Sequence, residues 1–244
     1  MTMKRAIRVF LWVGIAALSL APWANAQNVV LTTAGSNVAD GIYVSPYYAT
    51  VNGVPNTKVV CDDFADDSHL NTAPWSASIV SLSSLASTSN LLNTAWGAAG
   101  NTFLMYEEAA WLTMPLLSQT AGTPGQVNYS YAVWAVFDPI GVANWLNSYG
   151  DTATYNAVFG PNGYLAGAAA AASSFTPGEF SNVLIITPTV GGGACTAGGC
   201  PEQEFIEVVP EGGVAMGYVF LASLCCFGAM FQRSRRQMGS VPAA

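Results

Sequence analysis

Charge is scarce in this chain: Asp, Glu, Lys and Arg make up 9% of its 244 residues, and His69 is its one histidine. A lone histidine excludes metal centres built from several imidazoles. Basic residues are rarer still, and six of the seven (Lys4, Arg5, Arg8, Arg233, Arg235, Arg236) lie near the two ends. Between residues 27 and 211 only Lys58 faces all 14 acidic residues, a net charge of −13. With a single lysine to neutralise phosphates, nucleic-acid binding is excluded. A Gly-x-Ser-x-Gly elbow is missing, so a Ser-His-Asp hydrolase through His69 lacks its usual nucleophile setting. An extracellular hydrolase using Asp62, Asp63 or His69 therefore ranks last among the readings. No repeat of 20 to 50 residues is visible, which sets aside solenoids and propellers.

Long apolar runs are confined to the ends. Lys4, Arg5 and Arg8 precede an apolar stretch from Val9 to Ala21, then small residues ending Ala24-Asn25-Ala26. A basic start, a short apolar core and an A-x-A site form the signal-peptide pattern, with cleavage after Ala26. Export through the Sec translocon and trimming by signal peptidase follow from it. Gly212 to Phe231 is a second uncharged run, 20 residues long, enough for a helix to cross about 30 Å of hydrocarbon. Arg233, Arg235 and Arg236 follow at once, which keeps the short tail after residue 238 in the cytoplasm. The body is thus expected outside the inner membrane.

The junction reads Val209-Pro210-Glu211-Gly212-Gly213, then the apolar segment, then the arginines, and Gln203-Glu204-Phe205-Ile206 leads into it. This tripartite tail resembles a PEP-CTERM sorting signal, the address read by exosortase systems. Gly212 stands where that signature has its second proline. The resemblance implies sorting and processing by an exosortase-type membrane protease near Pro210-Glu211, through Val209, Pro210, Glu211, Gly212, Arg233, Arg235 and Arg236. It implies release to the cell surface or matrix, with exopolysaccharide as a partner. Such an address carries no chemistry of its own. An ordinary single-pass anchor is the alternative. The organisation is then a signal peptide over 1–26, an extracytoplasmic domain over 27–207, a sorting tail over 208–238 with its transmembrane helix at 212–231, and a cytoplasmic tail over 239–244.

The body is long enough for one domain with a real core. Residues 29–60 are rich in Val, Thr, Tyr, Gly and Asn, and Gly41 to Tyr48 and Thr57 to Cys61 read as strands separated by turns at Asn52-Gly53 and Pro55-Asn56. Helical spacing covers 101–117, a compact apolar segment covers 129–137 and ends at Asp138-Pro139, and a third helical candidate over 152–173 is broken by Gly160-Pro161-Asn162-Gly163. Strand signals return at 182–187 and 204–209. Strands flanking a helical middle predict an α+β domain.

Chemistry concentrates in a few places. Asp62, Asp63, Asp66 and Asp67 lie within six residues. They invite a calcium reading, but the EF-hand glycine and glutamate are absent, and a solvated acidic turn is the alternative. No cofactor is expected. Cys195 and Cys200 bracket a glycine-rich loop that an oxidising compartment would close as a small disulfide. Cys61 is then the odd cysteine of the body, either a reactive thiol or a buried inert one. The order of Cys61 after a strand, Tyr106 to Leu112 in a helix and Tyr129 to Trp134 in another resembles thioester domains of bacterial surface adhesins. In those, a strand cysteine bonds a helix glutamine, a position occupied here by Ser130; Gln126 lies one turn earlier. The resemblance implies a non-covalent relative. Trp75, Trp96, Trp111, Trp134 and Trp145 serve either as core or as exposed platforms for sugars. The function these readings support is an exported, non-enzymatic structural or binding protein of the cell surface or matrix. The alternative is an adhesin or carbohydrate-binding protein using Cys61 or exposed tryptophans.

Overall fold

In the computed structural model the described residues are 27–210 apart from 36, 191, 192, 195 and 201. The signal peptide with Ala24 and Ala26, the membrane segment, and the sorting residues Glu211, Gly212, Arg233, Arg235 and Arg236 lie outside them. Among the described residues no helix is long and apolar enough to cross a membrane.

The first strands follow from alternation. β1 (Gln27–Thr33), β4 (Tyr47–Val51) and β5 (Val54–Cys61) form an antiparallel run. In β4, Tyr47, Ala49 and Val51 are buried while Tyr48 and Thr50 are half-buried, the period-2 signature of a sheet with one face in a core. The β4–β5 connection is the Asn52-Gly53 turn, both residues having positive φ (51° and 80°), as a type I′ hairpin requires. Pro55-Asn56, in contrast, is not a turn. It lies inside β5, where Asn56 has φ 59° and the register to β4 slips between Ala49 and Val51, so it acts as a bulge. Between β1 and β4 a small hairpin pairs β2 (Val38–Ala39) with β3 (Ile42–Tyr43).

Sequence periodicity missed β6 (Trp75–Ser81), which pairs with β1 on one side and β7 (Val183–Val190) on the other. After β7 come the two-residue β8 (Gly193–Ala194) and β9 (Phe205–Val208). β9 lies between β5 and β7. The order β6-β1-β4-β5-β9-β7, with β7 back on β6, closes six antiparallel strands into a barrel, leaving no open edge among them. Phe205 packs inside it against Tyr47 and Trp75, with ring centroids 5.8 and 6.4 Å away.

The helices are one excursion between neighbouring strands. β6 ends at Ser81, whose partner across the ladder is Leu184 of β7, so the chain leaves and returns at one point. A 3₁₀ turn (Leu82–Ala86) leads into α1 (Thr88–Leu91), α2 (Ala95–Ala98), α3 (Phe103–Leu116), α4 (Pro124–Phe137), α5 (Pro139–Tyr149), α6 (Thr152–Phe159) and α7 (Tyr164–Ala172). α4 starts five residues before the expected apolar segment because Thr123 caps it and Pro124 occupies its first turn. Asp138-Pro139, read as a stop, also starts α5: the Asp138 carboxylate accepts from the Gly141 N–H at 2.9 Å. Every residue of α4 from Ser130 to Phe137 is buried, as befits a helix enclosed by the barrel and by α3, α5, α6 and α7. Both faces of β5 near Cys61 and of β7 near Ile186 are buried as well, because the helices cover that side of the barrel. The expected mixture of strands and helices is thus present, as a closed barrel backed by a helical layer.

Candidate functional site

The acidic stretch Cys61 to Asp67 leaves the barrel at the end of β5, beneath the helices. Its residues part company at once. Asp62 and Asp63 are fully buried, Asp66 is half-buried and Asp67 is exposed. A solvated acidic turn describes Asp67 alone. No carboxylate ring forms either: among the described residues no group of three His, Cys, Asp or Glu is placed to hold a metal ion. Asp66 instead accepts from the backbone N–H of Gly198 (2.8 Å) and Cys200 (3.3 Å), which ties it to the glycine-rich loop. Cys200 is disulfide-bonded; Cys195, its expected partner, lies outside the described residues.

A sealed polar cluster organises the junction of barrel and helices, and Glu204 is its hub. Its carboxylate accepts from Tyr106 Oη at 2.6 Å, from the Ala95 N–H at 2.7 Å and from the Thr187 hydroxyl. Those bonds recruit α3, the start of α2 and β7 to the residue preceding β9. The short helix α2 has its other free N–H groups answered as well: Trp96 N donates to Tyr106 Oη (3.3 Å) and Gly97 N to Thr94 Oγ1 (3.1 Å). Gly97 is obligatory, since a Cβ there would sit 2.0 Å from the Leu91 carbonyl oxygen. The Trp96 indole donates to the Asp62 carbonyl at 3.2 Å. Both Asp62 side-chain oxygens, and Oδ2 of Asp63, are buried without a hydrogen-bond partner.

Among the described residues no cation compensates this cluster, and the acidities move accordingly. Burial, then Glu204 and Asp63, holds the Asp62 carboxyl well above the usual carboxylate range. Burial, then Asp66, pushes Asp63 up to about 8. Glu204 is raised by burial, against the opposing pull of its Thr187, Tyr106 and Ala95 hydrogen bonds. The Cys61 thiol is pushed up by burial and by Asp63 and Asp62; it donates to the Asp63 carbonyl at 3.1 Å. A fully buried thiol disfavoured as thiolate is a poor nucleophile.

The cysteine, Gln126 and Ser130 do meet, at Ser45. The Cys61 N–H donates to Ser45 Oγ (3.0 Å), while Gln126 Nε2 and Ser130 Oγ donate to the Ser45 carbonyl at 2.7 and 3.3 Å. Gln126 Oε1 also accepts from the Gly122 N–H at 2.6 Å. Its carboxamide is therefore committed to backbone at both ends. His69 is apart from all of this: it is exposed, with Nδ1 3.6 Å from Glu202.

Above this seam opens a cleft of about 300 Å³. Its walls are rings, Tyr43, Tyr47, Phe64, Trp134 and Trp145, with Asp66 and Asp67 at the rim. Phe64 packs on Trp134 and Trp145 with centroids 5.3 and 6.0 Å apart. The β2–β3 hairpin supplies one wall through its Asp40-Gly41 turn and is held to α4 by Tyr131 Oη donating to Asp40 at 3.0 Å. None of the five tryptophans is exposed: Trp96 and Trp134 are buried, and Trp75, Trp111 and Trp145 are half-buried. Trp75 packs on Phe205 in the barrel, so the platform reading narrows to Trp111 and Trp145.

Sequence reasoning missed Ser45 and Thr187, and it gave Glu204 and Trp96 other roles than membership of this cluster. A glutamate directly before Phe205-Ile206, in a body almost without cations, was the available signal. Gln203-Glu204-Phe205-Ile206, read as the approach to a sorting tail, carries a structural load of its own. Gln203 Nε2 donates to the carbonyls of Asp63 (2.6 Å) and Asp66 (2.5 Å). No family model, no curated protein and no solved structure matches the chain.

Proposed function

We propose that this chain is an exported, non-enzymatic binding protein of the cell surface or extracellular matrix, delivered by its PEP-CTERM-like tail. The observation that carries the reading is the separation of reactive from accessible groups. Cys61, Asp62, Asp63 and Glu204 are sealed in the seam, His69 is exposed and faces Glu202 without lining the cleft, and what opens to solvent above the seam is an aromatic cleft with two aspartates. Acid–base or nucleophilic catalysis needs its groups within reach of a substrate; binding needs concave, mostly apolar walls with a few polar atoms. Rings beside carboxylates suit a ligand carrying a positive charge.

The polarity of the barrel supports an outward-facing role. Gln27, the Val54 end of β5, and Val209-Pro210 line one cleft, so the expected mature N-terminus and the processing site emerge together. Cys61 closes the other end of β5, about 23 Å away at ~3.3 Å per residue. A tail leading to the membrane would leave the aromatic cleft pointing away from it.

The test is the intact mass of the protein from its native cells, separated into membrane, envelope and medium. A species spanning Gln27 to about Pro210, outside the inner membrane, is the expected result. A species that starts at Gln27, keeps its C-terminus and stays in the inner membrane would refute the sorting step.

A further inference from the structure

We infer that a second groove, framed by α3, α4, α6 and α7, binds a neutral saccharide chain. It encloses about 620 Å³, within the ~300–1,000 Å³ of small-ligand sites, and is distinct from the cleft above Cys61. Three rings line it: Trp111 from α3, Tyr129 from α4 and Tyr164 from α7, all half-buried. The tyrosine rings lie 4.3 Å apart, tilted by 55°. Asn156 and Asn162, both exposed, add side-chain amides at the rim.

What these groups lack decides the ligand. The Trp111 indole N–H, the two tyrosine hydroxyls and both amides make no hydrogen bond to any described residue. An apolar partner would desolvate them unpaired, at about 1–3 kcal/mol each. A sugar ring offers both halves of the match, an apolar C–H face for the rings and a hydroxyl rim for the free donors and acceptors. The groove has no ionisable group besides its tyrosines, and the body carries one lysine against 14 acids. Anionic polymers are repelled and find no counter-charge. Neutral saccharides remain.

The groove is also built before any ligand arrives. The Gly160-Pro161-Asn162-Gly163 turn is seated on the end of α6: a Cβ on Gly160 would come 2.4 Å from the Asn156 carbonyl, and one on Gly163 2.7 Å from those of Ala157 and Val158. Asn162 is therefore presented on a fixed turn. Across the groove, Gly167 leaves the indole uncovered, since a Cβ there would touch Trp111 Cη2 at 3.8 Å.

Affinity electrophoresis tests this, with the full chain in a sugar-free detergent and native gels containing dextran, laminarin, galactomannan or alginate. At least one of the three neutral polysaccharides should retard the protein, and alginate should not. Trp111→Ala should raise the apparent Kd about tenfold or more. Gly167→Gln should do the same while keeping all three rings and improving helix propensity; circular dichroism verifies that it folds. Absence of retardation by all three neutral polymers overturns the inference. So does equal retardation by alginate, or retardation untouched by Gly167→Gln.

Discussion

Raising the pH should loosen this protein, and the buried carboxyls set the size of the effect. Asp63 is lifted from 3.8 to about 8, and Asp62 is raised well above its ordinary value by the same burial and crowding. The folded state keeps protons that the unfolded chain has already released. Stability is then fully present below about pH 4, the unfolded value, and is lost as pH rises through the folded value near 8. Each retained proton removes about 1.4 kcal/mol per pH unit. From pH 5 to pH 8, Asp63 alone takes away about 4 kcal/mol, and Asp62 adds in the same direction. For a body of this size 1 kcal/mol is worth about 2–4 °C, so Tm should drop by roughly 10 °C or more. The other resolved carboxyl shifts, at Glu107, Glu108, Glu202, Glu204 and Glu207, are also upward, and nothing among them offsets the trend. The assay is thermal unfolding by circular dichroism at pH 5, 6.5 and 8, in the wild type and in Asp63→Asn. That variant removes one titrating proton and should flatten the slope by about 1.4 kcal/mol per pH unit. A Tm that is constant or climbs from pH 5 to pH 8 would refute the argument, as would an unchanged slope in Asp63→Asn.

Two further results are expected from the same seam. Glu204→Ala strands Tyr106 Oη, the Ala95 N–H and the Thr187 hydroxyl, which should cost about 3–5 kcal/mol; a urea midpoint within error of wild type would show that the hub is not one. Cys61, buried and disfavoured as thiolate, should resist iodoacetamide at pH 8 in the native protein and react on unfolding, followed by peptide mass at that residue. Rapid native labelling would reverse the inert-thiol reading and restore the reactive one.

Local signals carried the strands and helices where one residue type dictates one geometry. Asn52-Gly53 demanded a hairpin, and Gly160 to Gly163 demanded a break between α6 and α7. Proline misled in both directions, because its fixed φ fits several settings. Pro55 sits in a bulged strand, and Pro139 begins a helix that Asp138 caps. β6 escaped notice because its alternation, Trp75, Ala77 and Ile79 against Ser76 and Ser78, is carried largely by alanine and serine, which have little strand preference. Barrel closure was not legible at all: it rests on β6 meeting β7 across a hundred residues of intervening chain, and on β9 entering between β5 and β7. The acidic stretch shows the same limit. Four aspartates in six residues look like one feature, yet the chain turns Asp62 and Asp63 inward and leaves Asp67 in water. Only the position of Glu204, brought beside them by β9, makes the inward pair a cluster.

That cluster explains how a body with one lysine can hold its two layers in register. An ionised carboxylate buried without a cation is costly, so the seam cannot be an ion-pair network. It is joined by protonated or hydrogen-bonded acids: Glu204 draws α2, α3 and β7 together, and the Asp62 carbonyl receives Trp96 from α2. Gln203 then pins the loop from Asp63 to Asp66, and that loop is the floor of the aromatic cleft. The cleft walls belong to different layers, Tyr43 and Tyr47 to the barrel side and Trp134 and Trp145 to the helices, so their spacing depends on the seam beneath them. Protons removed from the seam at high pH should therefore disturb the cleft before they unfold the groove at Trp111, which lies wholly among the helices.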